Sequence, residues 1–373
     1  MARIGFLTER MLLGFGVDLV IDRLADGLAA KGHEVKVYAS LTDGTYDNKS
    51  YDVRQIPTAA YNLFPLYDRS AHRWLDMLNK EDVDVWLVST FPFFSLLPHL
   101  KAPAVAIDYG ICSTEGFTLA AKLNFAYMKW SQQRRYFPHA ARVVTISDYV
   151  KSLLPSGLQD KAEVIYIGAD HYLQDWDIRR RPATEAAEFR RSRGVGQNDL
   201  LLTYVGRLNP AGQPYKGTRD LMTMFSRISR SKPGVKALMV GYGDTSDARR
   251  ISDLGIIPFV KAPVEMMPVV HAATDIYVTA SRWEGFDLPL VEAAFFGKPG
   301  VALKIGAHPE VVRDGETALL ADTIAELEDD IIELVDNTPR RVALGASAAE
   351  FAQRFRWETA VADYDAMIAQ VLS

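Results

Sequence analysis

Four charged residues in the second half of the chain have types and spacing suited to chemistry on phosphates and hydroxyls: Arg207, Lys216, Glu284 and Glu292. Glu284 and Glu292 stand eight residues apart in Ser281–Gly300, S-R-W-E-G-F-D-L-P-L-V-E-A-A-F-F-G-K-P-G. Between them run the backbone N–H groups of Gly285 to Leu288, ahead of a short apolar helix. Two carboxylates flanking a helix N-terminus accept from hydroxyls and leave the amides to an anion. A sugar diol donates two hydrogen bonds to one carboxylate, and a phosphate accepts from the amides. Arg207 and Lys216 lie nine residues apart in G-R-L-N-P-A-G-Q-P-Y-K-G. Arg suits a phosphate fork, and Lys supplies a mobile point charge. Preorganised cations beside a departing phosphate stabilise the transition state more than the ground state. Glu292 sits in an otherwise apolar run, so its carboxylate must have a partner, because an unpaired buried charge is costly.

The elements that hold these residues alternate between strand and helix. Asp275–Ala280 reads as a strand. Pro289 is preset for the first turn of the following helix, and Gly297 with Pro299 reads as its stop. Leu200–Val205 reads as a strand that ends at the G-R-L loop, with a helix from about Thr218. Val235–Val240 is a strand ending at Gly241-Tyr242-Gly243-Asp244; Ile257–Val260 and Thr317–Ala321 are others, and helices close the chain.

The first half repeats the pattern. Strand Arg3–Thr8, a turn containing Gly14 and Gly16, helix Leu19–Ala30 and strand Glu34–Ala39 make a βαβ unit. Gly14 and Gly16 either bring backbone close to a ligand or form a plain strand–helix turn. Val83–Ser89, Ala104–Ile107, Arg142–Ser147 and Glu163–Ile167 supply further strands. Asp108 follows one of them, at the carboxyl edge where ligands of parallel sheets bind. It either binds or orients a hydroxyl or is an ordinary strand-end carboxylate. Gly168–Asn198 is polar, with Arg179-Arg-Arg-Pro and Phe189-Arg-Arg-Ser-Arg, and divides the two halves. The expected boundaries are 1–170 for a first domain, 171–198 for a linker and 199–356 for a second domain.

A length of 373 residues leaves room for two cores. A net charge of -5 gives no argument for nucleic acid. The single cysteine, Cys112, excludes an intrachain disulfide and a Cys-based metal cage and fits a reducing compartment. Met-Ala-Arg-Ile-Gly-Phe-Leu at the start reads as a strand rather than a signal peptide. No apolar run approaches a membrane span. Thr118–Tyr136 reads as a long helix. Thr118–Arg142 carries Lys122, Lys129, Arg134, Arg135 and Arg142 without an acidic residue, interleaved with Phe125, Tyr127, Trp130, Tyr136 and Phe137. Such a segment either lies on an anionic bilayer or turns aromatics inward and cations to water. The D-x-D strings Asp82-Val-Asp84 and Asp175-Trp-Asp177 do not follow a strand beside the four residues, and the histidines lack ligand spacing. No metal is expected. No G-x-S-x-G or Cys–His pattern points to acyl chemistry.

On these motifs the chain resembles the retaining GT-B glycosyltransferases of family 4. The likeness rests on Glu-x7-Glu with Gly-Phe after the first Glu, G-R-L…K-G, and A-H-P-E-V-V-R-D-G-E-T-A-L-L at Ala307–Leu320. It also rests on G-x-G-x-D at Gly14–Asp18 and R-L-A-D-G-L-A-A-K-G-H-E-V at Arg23–Val35. It covers most of the chain and is strongest from Leu200 to Leu320. It implies an α/β GT-B fold, two Rossmann-like domains with parallel sheets facing a central cleft, and a last helix at about 357–373 that returns to the first domain.

It further implies retaining, metal-independent transfer of a sugar from a nucleoside diphosphate sugar, of UDP-sugar or GDP-mannose type, to a hydroxyl of a glycan, glycolipid or small molecule. The catalytic group expected from it is Arg207, Lys216, Glu284 and Asp108. The donor would be bound by Gly14, Gly16, Gly206, Tyr242, Lys261, Gly285, Phe286, Asp287, Leu288 and Glu292, with Glu284 on the sugar and Glu292 on the ribose. The expected place is the cytoplasm, with peripheral contact at the inner face of the membrane through 118–142. Three residues depart from the pattern: Asp287 where many members have Gly, Asp108 where many have His, and Ile167 where Asn is common. The competing readings are a nucleotide-sugar epimerase of GT-B fold and a non-catalytic two-domain sugar-binding protein.

Overall fold

Strands that are buried on both faces read as continuous apolar runs, and two all-parallel sheets are built from such runs. The computed structural model describes residues 1–373 except 48, 60–65 and 179–182. The chain divides into Met1–Gly168 with Trp357–Ser373, and Ala169–Arg356.

In the first unit the strands are β1 (Arg3–Met11), β2 (Glu34–Thr42), β3 (Asp52–Gln55), β4 (Val85–Val88), β5 (Ala104–Asp108), β6 (Arg142–Thr145) and β7 (Ala162–Val164). Their order is β3-β2-β1-β4-β5-β6-β7, so the sheet reverses direction of growth between β1 and β4. β4, V-W-L-V, is buried at every position, and Trp86 meets Tyr38 edge to face at 5.5 Å. Helix α1 (Gly16–Ala30) follows β1 and turns Val20, Ile21, Leu24, Ala25 and Leu28 inward. The C-terminal helix Trp357–Leu372 packs on α1. A Cβ at Gly27 would lie 2.4 Å from Val361 Cγ2, and Asp365 meets His33 at 3.0 Å. Helix α2 (Leu119–Ser131) is capped by Thr118, whose hydroxyl accepts from the Ala121 amide at 3.3 Å. It runs on as a π-helical turn over Gln132–Tyr136.

In the second unit β8 (Leu200–Arg207), β9 (Val235–Tyr242), β10 (Ile257–Val260), β11 (Ile276–Val278), β12 (Gly300–Leu303) and β13 (Ala318–Ala321) are ordered β10-β9-β8-β11-β12-β13. Here the reversal falls between β8 and β11. The helices used below are α3 (His171–Ile178), α4 (Ala183–Ser192), α5 (Thr218–Ser231), α6 (Met267–Ala273) and α7 (Leu288–Phe295).

The expected linker at 171–198 is different in the structure: it contributes α3 and α4 to the second unit. Its many charges mask a one-sided apolar pattern. Phe189 and Val195 are buried in one cluster with Val269, Val270 and Ala273 of α6. Arg190 is spent structurally, donating to the Ala273 carbonyl at 2.7 Å and to Asp275 at 2.8 Å. The Arg179-Arg-Arg-Pro run lies outside the described residues. Among the described residues no helix is long and apolar enough to cross a membrane.

Candidate active site

Ligands of open parallel sheets bind at the carboxyl ends of the strands, where the strand order reverses. In the second unit that point lies between β8 and β11, and the loops leaving these strands carry Arg207 to Lys216 and Thr279 to Glu284. Gly217 lets them meet. Its φ is +64°, and a Cβ there would stand 2.0 Å from the Ala280 carbonyl oxygen. Lys216 ends a single 3₁₀ turn, Pro214–Lys216, and its Nζ donates to Glu284 Oε1 at 2.6 Å. Gly306, with φ +53°, clamps the backbone of Glu284 from the other side: a Cβ would meet the Glu284 carbonyl oxygen at 2.4 Å. The Ala307 amide donates to that carbonyl at 3.1 Å.

Burial holds the Glu284 carboxyl above its usual value; Lys216 pulls it down without cancelling this, and Asp287 adds repulsion. Burial by itself lowers the Lys216 ammonium. Glu284 and then Tyr215 and Asp287 outweigh it, so the ammonium is held above its ordinary value. A fixed cation is therefore present on this loop across the neutral range.

Asp287 is the N-cap residue of α7 and adopts φ +69°, a conformation in which glycine is at ease and aspartate is strained. Its carboxylate is occupied by His308, whose Nε2 lies 3.0 Å from Asp287 Oδ2. His308 Nδ1 lies 2.6 Å from the Leu303 carbonyl oxygen, which only accepts, so Nδ1 carries a proton. Burial would lower this imidazole, but Asp287 and Glu284 outweigh that and raise it. The departure at Asp287 thus brings its own fully buried counter-charge, at the start of the short helix His308–Val311.

Glu292, in the second turn of α7, lies between two buried histidines: His171 Nε2 of α3 is 3.2 Å from Oε1, and His271 Nε2 of α6 is 3.3 Å from Oε2. Burial would raise this carboxyl, but the two imidazoles bring it down to about 2. Each carboxylate oxygen keeps a second lone pair, so an incoming hydroxyl can still donate to it. Tyr277 of β11 lies within the field of Asp287, Glu284 and Glu292, so the three carboxylates share one neighbourhood; burial, and then these charges, keep its hydroxyl protonated.

The remaining donor-side candidates are spread along the same edge. Arg207 ends β8, and its guanidinium lies 5.0 Å from the centroid of the Tyr242 ring, at the end of β9. Gly206 pairs with Gly241 in that register. Lys261, exposed and with φ 52°, follows β10 and donates its amide to Gly241 at 2.8 Å. Gly285 is buried and Leu288 half-buried. Phe286 turns its ring into the core against Phe355, 5.4 Å away.

Asp108, Gly14 and Gly16 belong to the first unit. Asp108 Oδ1 accepts from the Gly110 amide and from Gln132 Nε2, both at 2.9 Å, and burial pushes the carboxyl up to about 6. Gly14 has φ +87° with open space around it. The loop it shapes is pinned by Asp18, which accepts from the Leu12 amide at 2.9 Å and from Arg10 at 3.3 Å.

Of the D-x-D strings, Asp82 and Asp84 are both paired with Arg3, and Asp175 with Asp177 lies on α3. Among the described residues no cluster of three or more His, Cys, Asp or Glu side chains has the arrangement of a metal site. His171, His271, Tyr277 and Gly306 belong to the site without having been singled out from sequence. His308 stood inside a noted motif without an assigned part.

The sequence matches the family described as Glycosyltransferase Family 4 over residues 16–172 and the one described as Glycosyl transferases group 1 over residues 199–337. It is 29% identical over 228 residues to a D-inositol 3-phosphate glycosyltransferase of Corynebacterium aurimucosum, covering 57% of this chain and 52% of the relative. The chain spans about half the length of the first curated relatives it matches. A GDP-mannose-dependent alpha-(1-6)-phosphatidylinositol monomannoside mannosyltransferase of Mycolicibacterium smegmatis is 26% identical over 374 residues, 93% of this chain and 92% of that one. In fold, the chain is similar to the Anabaena protein HepE crystallised with UDP and glucose, at a TM-score of 0.78 and 20% identity, over 99% of this chain and 100% of the other. Two Rossmann-like parallel sheets of this kind are the GT-B fold.

Proposed function

Because the chain belongs to glycosyltransferase family 4, we propose that it moves a sugar from a nucleoside diphosphate sugar to an acceptor hydroxyl with retention at the anomeric carbon and without a metal ion. The observation that carries this reading is the half-buried Lys216 paired with the buried Glu284, 2.6 Å apart where the sheet reverses. Lys216 and Arg207 meet the diphosphate as charge gathers on it, and the amides at the start of α7 take the remaining oxygens. Glu284 Oε1 is engaged by Lys216, and Oε2 accepts from a sugar hydroxyl. Glu292, kept ionised by its two histidines, accepts from the ribose.

The bond from the anomeric carbon to the phosphate oxygen breaks, and the bond to the acceptor oxygen forms on the same face. The acceptor proton passes to the leaving phosphate, so the products are a glycoside and a nucleoside diphosphate. No enzymic nucleophile is required. The names of the two relatives support an inositol-type or phosphoinositide acceptor and a GDP-mannose donor among the candidates.

The exposed face of α2 supports a place beside an anionic lipid surface. Leu119, Leu123 and Trp130 are 74%, 63% and 51% exposed. At 3.6 residues per turn they fall within about 40° of one another, and Lys122 and Lys129 lie along one side of them.

Incubation with a panel of nucleoside diphosphate sugars and inositol-type acceptors, with the anomeric configuration of the product read by NMR, tests the reading. A retained configuration with one donor is the expected result. Inversion, epimerisation of the donor, or no turnover with any pair would overturn it.

A further inference from the structure

The first unit holds a cavity of about 610 Å³ that the reaction above does not use. It opens between the crossovers β3–β4, β4–β5 and β5–β6, and its walls carry three arginines and three histidines: Arg69, His72, His99, Arg134, Arg135 and His139. Among the described residues none of the three guanidiniums stands within ion-pair distance of a carboxylate. The one carboxylate in the lining is Asp68, on the floor and 1% exposed. Tyr136 and, at 3.5 Å, Tyr127 donate to its Oδ2. Its Oδ1 is buried without a hydrogen-bond partner among the described residues. A buried acceptor of this kind is costly unless a donor reaches it.

The cations repel one another. The His72 and His99 rings stand 5.3 Å apart, and burial first, then His99 and Arg69, hold His72 below its usual value. Arg135 is braced between the Trp130 and Tyr136 rings, at 5.8 and 5.7 Å. A rim of guanidiniums and imidazoles with no carboxylate in ion-pair reach among the described residues, over a floor with an unused acceptor, is complementary to an anion that also carries a hydroxyl. A phosphate monoester has both: its oxygens take the arginine forks, and its P–OH or a hydroxyl of its carrier donates to Asp68 Oδ1.

We propose that this cavity is a phosphate-binding site of the first unit, separate from the donor phosphates, for a phosphomonoester. The carrier is either a small molecule or a lipid headgroup. The inference does not rest on the glycosyl-transfer reading, because no residue of the cavity takes part in it.

The test uses the full chain with labelled histidine, and NMR follows the titration of each of the seven histidines with and without millimolar inorganic phosphate at matched ionic strength. Bound phosphate should raise the His72 and His99 midpoints by about one pH unit or more, as an opposite charge nearby does. The exposed pair Arg134→Ala/Arg135→Ala should remove that response while leaving His171, His271 and His308 where they were. Co-sedimentation with phosphatidylcholine vesicles containing phosphatidic acid, against phosphatidylcholine alone, then separates the two carriers. Binding that the double variant loses identifies the headgroup, and a phosphate response without vesicle binding identifies a small phosphomonoester. If neither His72 nor His99 moves, or both move equally in the double variant, the proposal is overturned.

Discussion

Replacing Lys216 by Met tests whether the crossing of the β8 and β11 loops has the energetics the geometry implies. Lys216 Nζ and Glu284 Oε1 are 2.6 Å apart, and their side chains are 23% and 8% exposed. Removing one partner of a buried ion pair costs about 3–5 kcal/mol, because the other is left uncompensated. The residual exposure of Lys216 places the expectation near the lower end, about 3 kcal/mol at pH 8. The pH dependence has a definite sign. Without Lys216, burial and Asp287 still raise Glu284, and nothing of comparable size lowers it. A carboxyl with a raised folded pKa binds more protons folded than unfolded, so stability falls as pH rises above its unfolded value of about 4.3. The deficit of Lys216→Met should therefore shrink steadily from pH 8 towards pH 5. Adding Glu284→Gln should recover about 2 kcal/mol of the loss at pH 8, so the costs of the two single variants should not add in the double-mutant cycle.

Because two units can unfold separately, amide exchange in β8 and β12 is the appropriate readout, as it reports the second unit by itself. Turnover of Lys216→Met should drop by roughly 10²–10³-fold. If the single variant exchanges like the parent at pH 8, or the double variant is no better than the single, the pair is not coupled and the account of the site fails.

Other expectations are narrower. Arg207→Ala should lower kcat by roughly 10²–10³-fold with the fold intact; near-normal turnover would remove it from the phosphate site. Transfer should continue in excess chelator, and a strict need for Mg²⁺ or Mn²⁺ would contradict the metal-free reading. Calorimetry with the free nucleoside diphosphate should separate the two glutamates: Glu292→Gln weakens binding by about 1.5–3 kcal/mol, whereas Glu284→Gln, facing the absent sugar, changes it little. The reverse ranking would exchange their roles. Lys122→Glu/Lys129→Glu should weaken sedimentation with anionic vesicles, more so at low salt, and a parent chain that does not sediment would end the membrane reading.

The sheets were legible because parallel strands announce themselves as apolar runs between helical stretches. β10 is found at the bounds read for it, and β5, β8 and β9 differ by a residue or two at their ends. Two strands were not read. β3, D-V-R-Q, lies at a sheet edge with one apolar residue, and β12, G-V-A-L, follows so directly on the Gly297–Pro299 helix stop that the two merge. The region 171–198 misled for the opposite reason. Its composition is that of a linker, yet Phe189 and Val195 suffice to anchor it to α6 once Arg190 is tied to Ala273 and Asp275.

Glu292 shows where sequence reasoning about a site stops. A carboxylate inside L-V-E-A-A-F demands a partner, and that demand is visible in eight residues of helix. The partners' identity is not visible, because His171 precedes Glu292 by more than a hundred positions and His271 sits on a different helix. Only the packing of α3 and α6 beside α7 makes them neighbours. The same holds for Asp287, where the departure from glycine signalled a changed pocket but not a buried imidazole waiting at His308. Local chemistry predicts that a charge must be answered, and topology decides by which residue. A substitution at His171 or His271 should therefore act on the nucleotide through Glu292, a consequence that no spacing rule applied to the glutamates alone would suggest.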